Sequence, residues 1–298
     1  FITAGTASLL NGAPLDELRV PEMTIVHEFG HQYWYGMVAS NEFEEAWLDE
    51  GINSYSSGRV MAHEYGAAES LGRIARTGIA ELDMLRIVNA VLPSSGIIRQ
   101  PAWEHRDDLS YGFNSYFKPQ IVLMTLERIL GGQTMARAMR SYFERWRFRH
   151  PHSDDFYAAI EESAGQDLSR FFEQLVESPD TLDYEVDDVR IESSDGRYRS
   201  TVRLRRHGGV VLPADLEIKF EGAPPERTTW NAEDEQTTLT FDRATRIEWA
   251  RLDPEQKLLV DKHWLNNGRR ARADSRVAAS LTSRWMFWLQ HAHAFLGL

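Results

Sequence analysis

Hydrophobic positions follow two different rhythms along this chain. Over residues 1–180 apolar side chains recur at three- and four-residue intervals, which predicts mainly helical structure. Pro21 suits the first turn of a helix, which the spacing carries through His27 and His31 to about Gly36. A second helix is predicted over Glu45 to Tyr65, stopping before Gly66. A third is predicted over 67–90, with Leu71, Ile74, Ile79, Leu82, Leu85 and Val88 as its apolar stripe. Pro93, Gly96 and Pro101 mark a loop, and a further helix begins near Pro119 and ends at Gly131-Gly132. Two or three shorter helices follow. One is capped by Ser153 or Asp154, and another is opened by Asp167 and carries Phe171, Phe172, Leu175 and Val176.

"ESPDTLDYE" breaks this pattern, and the rhythm then changes to alternation. "YEVDDVRIES", "RYRSTVRLRR", "VVLPADLEIKF", "QTTLTF", "RIEWARLD" and "KLLVD" read as short strands separated by turn residues. They predict a small antiparallel β-sandwich over residues 183–262. From His263 the helical period returns, in Val277, Leu281, Trp285, Trp288, Leu289, Ala292 and Phe295. The basic run "GRRARADSR" before this last helix is of a kind that touches anionic membrane. Packing of the helix on the body, with that run as a charged approach, is the preferred reading. The fold class expected is multi-domain α+β: a helical domain (1–180), the sandwich (183–262) and a C-terminal helix (263–298).

Composition narrows the function. With 298 residues and 42% apolar content the chain can bury a substantial core. A net charge of −12 argues against nucleic acid as a main partner, because phosphate binding needs a basic footprint. No cysteine is present, which excludes disulfides, thiol catalysis and thiolate zinc sites. Arg284, Gln290, His291 and His293 interrupt the most apolar tail, so no transmembrane span is expected. The chain begins at Phe1 with no signal ahead of it, so it is expected to be part of a longer protein whose targeting segment lies outside this sequence, which leaves the compartment, cytoplasmic or periplasmic/secreted, open.

The candidate chemistry lies in "TIVHEFGHQYWYG". Residues four apart on a helix share a face, so His27 and His31 can offer two imidazole nitrogens to one zinc ion. Glu28 is turned about 100° from His27 and can face the water that zinc activates. A catalytic zinc needs a third protein ligand and an open fourth position. The next carboxylates are Glu42, Glu44, Glu45, Asp49 and Glu50, and a turn between antiparallel helices would bring Glu50 back beside the histidines. Asp49 is expected to face away.

"HEFGH", eighteen further residues, then the glutamate of "WLDEG" resembles the gluzincin metallo-aminopeptidases of the aminopeptidase N and leukotriene hydrolase type. "YGFNSYFKPQIVLMTLERILGG" is similar to that family's Tyr-x-Lys-Gly segment, and "DPEQKLLVD" to its trailing β-domain. The resemblance implies that His27, His31 and Glu50 hold zinc and that Glu28 is the general base. It implies that Tyr116 stabilises the oxyanion, with Tyr111 as a second active-site tyrosine. Hydrolysis of peptide bonds, with removal of N-terminal amino acids, is the expected activity. A non-catalytic peptidase-like scaffold and a zinc endopeptidase are the alternatives. Pro119 departs from the family's glycine, and Met37 from its asparagine. The upstream Gly-x-Met-Glu-Asn segment, whose glutamate binds the substrate amine in that family, does not precede His27. An N-terminal domain of the parent chain is the partner expected to supply it, alongside the peptide substrate. Trp34, Tyr35 and Trp47 are expected to wall the cleft.

Overall fold

The computed structural model describes residues 17–74, 76–92, 96–194, 196–272 and 275–296. Helix α1 (Val20–Gly30) opens with Pro21 and ends sooner than expected. The N–H groups of Gln32 and Tyr33 turn to carbonyls three residues back, that of Gly36 to His31, and Tyr35 adopts φ 102°. His31 is therefore the cap of α1 rather than an interior residue, though its own φ/ψ stay helical. Helix α2 (Glu42–Tyr65) is capped by the Asn41 side chain. Non-helical dihedrals at Glu45 kink it where the helix was expected to start.

Two glycines allow close packing here. A Cβ on Gly30 would stand 1.9 Å from Asn53 Oδ1, and one on Gly51 would stand 2.6 Å from the Pro119 ring. The proline that departs from the family pattern thus sits in a space that Gly51 leaves open.

The helix expected over 67–90 is instead a one-turn 3₁₀ segment, a hairpin and a shorter helix. Strands β1 (Gly72–Ile74) and β2 (Thr77–Ile79) pair antiparallel, and α3 (Glu81–Val91) follows. The hairpin wins because the chain near Leu18 pairs with it. Leu18 bridges to Gly72, Arg73 N–H donates to Glu17 O, and Arg19 N–H donates to Leu71 O. Gly72 reaches φ 124°, which a helix cannot use.

Helix α4 (Asp108–Gly112) is capped reciprocally by Asp107 and Ser110. It runs without a break through a π-helical turn (Phe113–Phe117) into α5 (Lys118–Leu130). Helices α6 (Gly132–Trp146), α7 (Ser153–Ala164) and α8 (Ser169–Leu175) complete this part. The cap of α7 is His152, whose N–H donates to Asp155, one residue before the expected Ser153. Asp167 accepts from Ser169 N–H at the start of α8, as the sequence indicates. Trp47, Tyr142, Phe156 and Phe172 are fully buried in this helical core.

The alternating segment forms two antiparallel sheets. β3 (Tyr184–Ser194), β4 (Arg197–Arg206) and β7 (Gln236–Arg243) make one, in the order β3-β4-β7. β5 (Ala214–Phe220), β6 (Glu226–Trp230), β8 (Ile247–Leu252) and β9 (Gly268–Arg270) make the other, in the order β6-β5-β8-β9. Their inner faces meet in the ring contacts Tyr184–Trp230 at 5.0 Å and Phe220–Phe241 at 5.8 Å. Asn89 donates to Val260 O and Lys262 to Leu92 O, tying the helical part to the β-part. The architecture is multi-domain α+β.

Helix α9 (Ser275–Leu296) departs from expectation. Every side chain described in it, from Ala279 to His291, is exposed, so that stretch does not pack on the described body. Among the described residues no helix is long and apolar enough to cross a membrane.

Candidate active site

Helices α1 and α2 pack side by side and bring three ligand-type side chains to one point. Glu50 Oε2 lies 3.0 Å from His27 Nε2 and 3.3 Å from His31 Nε2. One donor atom from each of His27, His31 and Glu50 falls within 4.8 Å of the other two. This set of two imidazole nitrogens and one carboxylate is of the kind that holds a catalytic zinc ion with one position open. Asn53, fully buried on α2, donates to His27 O at 2.7 Å and so fixes the end of α1 against the helix that carries Glu50.

The electrostatics follow from burial and these contacts. Burial alone would raise the Glu50 carboxyl, but the bonds from His27, His31 and Tyr116 hold it down at about 2. Burial opposes charge on His31, yet Asp49 and Glu50 outweigh it and push the imidazole up to about 10.

Asp49 does not face away. Its Oδ1 lies 2.7 Å from His31 Nδ1, and the same Nδ1 sits 3.2 Å from Trp34 O. These contacts leave His31 Nε2 turned toward Glu50. Adjacent helical residues point about 100° apart, so a wheel drawn for α2 sends Asp49 elsewhere. The side-by-side packing of α1 and α2 brings both Asp49 and Glu50 to His31. Burial raises the Asp49 carboxyl, and the contact with His31 counters that.

Tyr116 sits in the π-helical turn and donates to Glu50 Oε1 at 2.5 Å, with its ring stacked 5.8 Å from that of His27. It was expected just before a helix; the π turn makes it part of one continuous helical run. Burial, reinforced by the Glu50 charge, holds its phenol well above the ordinary range, so it stays a donor. Tyr111 packs edge-on to Tyr116 at 6.2 Å and to His105 at 5.4 Å. Its phenol is raised too, by burial and then by Glu50. Lys118, buried at the start of α5, donates to Gly96 O and anchors the preceding loop.

Glu28 is half-buried on α1, one residue beyond His27. Trp34 Nε1 donates to Ser56 on α2, bracing the two helices. Tyr35 is exposed, whereas Trp47 is inside the core, bonded to Ser153, and forms no wall of the cleft.

Residues 3–175 match the peptidase family M1 domain. The chain is 23% identical over 225 residues to "Probable aminopeptidase 1" of Sulfurisphaera tokodaii, covering 74% of this chain and 27% of that protein. It is 22% identical over 173 residues to aminopeptidase N of Lactococcus lactis, covering 53% and 18%. The chain thus spans about a quarter or less of these relatives. A crystal structure of Legionella pneumophila aminopeptidase A with aspartic acid shares the fold at TM-score 0.55 and 17% identity, covering 82% of this chain and 27% of that one. With its family match spanning both proposed metal-bearing helices and the tyrosine-bearing run, the chain belongs to peptidase family M1.

Proposed function

We propose that this chain carries the catalytic centre of a zinc-dependent peptidase that removes amino acids from the N-termini of peptides. The observation that carries this reading is the convergence of His27 Nε2, His31 Nε2 and the Glu50 carboxylate. These three residues would hold zinc, which when bound supplies Lewis acidity and makes water acidic enough to react near neutral pH. Glu28 takes the proton from the attacking water and delivers it to the departing amine. The Tyr116 hydroxyl, held protonated beside Glu50, donates to the scissile carbonyl oxygen as negative charge builds there. Tyr111, in ring contact with Tyr116, limits the positions that ring can take and adds a second phenol to the same wall. Asp49 keeps His31 turned toward the ligand cluster. The preference for free N-termini rests on the aminopeptidase names of the relatives.

Glu28→Gln tests the assignment. The variant should keep its zinc while peptide hydrolysis falls by about 10²–10⁴-fold. Full activity in that variant, or protein that binds no zinc, would overturn it. N-terminally blocked peptides should resist cleavage; equal cleavage of blocked and free peptides would mark an endopeptidase instead.

A further inference from the structure

We infer that α9, together with the arginine-rich edge strand before it, is a surface that docks on an anionic lipid membrane, lying in the headgroup region rather than crossing it. Leu281, Trp285, Trp288 and Leu289 share one side of the helix at i, i+4, i+7, i+8 spacing. Trp285 and Trp288 are 68% and 67% exposed, with Leu281 and Leu289 more than half exposed. Met286 and Phe287, also exposed, widen the apolar surface beyond that stripe. A single partner helix would cover the stripe alone; a medium that surrounds the helix covers both.

Charge complementarity selects the medium. The chain as a whole carries −12, yet residues 269–284 contain Arg269, Arg270, Arg272, Arg276 and Arg284 against one acid, Asp274. Arg269 and Arg270 are exposed on β9, the edge strand of its sheet, and Arg272 is exposed just after it. Among the described residues none of these three takes part in an ion pair, although most other arginines of the sandwich do. Arg270 lies opposite Trp249 on β8, which continues the pairing of cation and indole onto the sheet. Tryptophan and arginine at one exposed face suit the interface of an anionic bilayer, where indoles sit at headgroup depth and each cation meets lipid phosphate. No helix among the described residues is long and apolar enough to span, so α9 would lie in the plane. A second copy of the chain fits less well, because a parallel pair would set the same arginines against each other and leave Phe287 in water.

Flotation of the 298-residue chain with vesicles tests this. The chain should float with phosphatidylcholine vesicles containing phosphatidylglycerol, far less with phosphatidylcholine alone, and less in high salt. Replacing Arg269, Arg270 and Arg272 by Gln should weaken partitioning about fivefold per arginine. The double change Trp285→Ser, Trp288→Ser should abolish it while far-UV circular dichroism and zinc content stay unchanged. Absence of binding to the anionic vesicles, or binding that survives the tryptophan changes, would overturn the proposal. A lipid-free dimer that the tryptophan changes convert to monomer, with no flotation, would assign the face to a second copy.

Discussion

The hydroxyl of Tyr116 points at Glu50, 2.5 Å from Oε1, while the other oxygen of that carboxylate faces both histidines. One carboxylate therefore links the proposed metal ligands to the proposed oxyanion donor. Tyr116→Phe removes the donor and keeps the ring. Turnover should fall about 10²–10³-fold with KM changed little, because the lost bond belongs to the transition state. Steady-state kinetics decide it: a rise in KM at constant kcat would make Tyr116 a substrate-binding residue only.

Asp49→Asn takes away the charge beside His31 Nδ1. Zinc affinity, measured by competition with a chelator, should weaken about 10–100-fold. Undiminished affinity would leave orientation of His31 to Trp34 O alone.

Gly30→Ala introduces a methyl group where Asn53 Oδ1 already stands, at 1.9 Å. Asn53 also holds His27 O, so the clash disturbs the ligand helices directly. Denaturant unfolding should show a loss of about 1–3 kcal/mol, with weaker zinc binding in the same variant. Wild-type values for both would mean that the helices slide apart without consequence.

Asp261 is buried and accepts from Asn267 Nδ2 and from His263 N–H, and burial lifts its carboxyl to about 7. That is above the ordinary carboxylate value of about 3.9. Between the two values the folded chain holds a proton that the unfolded chain has released, so this residue makes stability decline as pH rises through that window. Its contribution is level above about 7. The decline amounts to a few kcal/mol, at about 1.4 kcal/mol per pH unit. Unfolding of wild type and Asp261→Asn at several pH values should give a difference that shrinks in that direction from pH 4 to 7; a constant difference would refute it.

Part of the candidate site was legible beforehand. The four-residue spacing put His27 and His31 on one helix face, the resemblance to gluzincins singled out Glu50 among five nearby carboxylates, and the structure brings the three side chains together. What spacing hides is where helices stop. α1 ends at Gly30, short of the predicted Gly36, and Asp49 meets the capping His31 rather than facing away. The hairpin at 72–79 was hidden for a related reason: Ile74 and Ile79 fit a helical stripe, and only pairing with residues 17–19, distant in sequence, favours strands. The kink at Glu45 is similar, since the buried carboxylate meets Arg99 and His152 from other parts of the chain. The stripe of α9 was read correctly as apolar, but a stripe does not name what covers it.

The π turn at Phe113–Phe117 has a consequence for phase. Residues five apart on an α-helix point about 140° away from each other, so Tyr111 and Tyr116 would look in different directions. The wider turn, seen in the bond from Lys118 N–H to Phe113 O, slows that rotation and lets the two rings meet. In effect one extra residue has been spliced into a helix. Deleting one residue from this turn would leave Tyr111 and Tyr116 four apart on an ordinary α-helix, about 40° from each other, so the wide turn restores to a spacing of five the alignment that an α-helix gives at four.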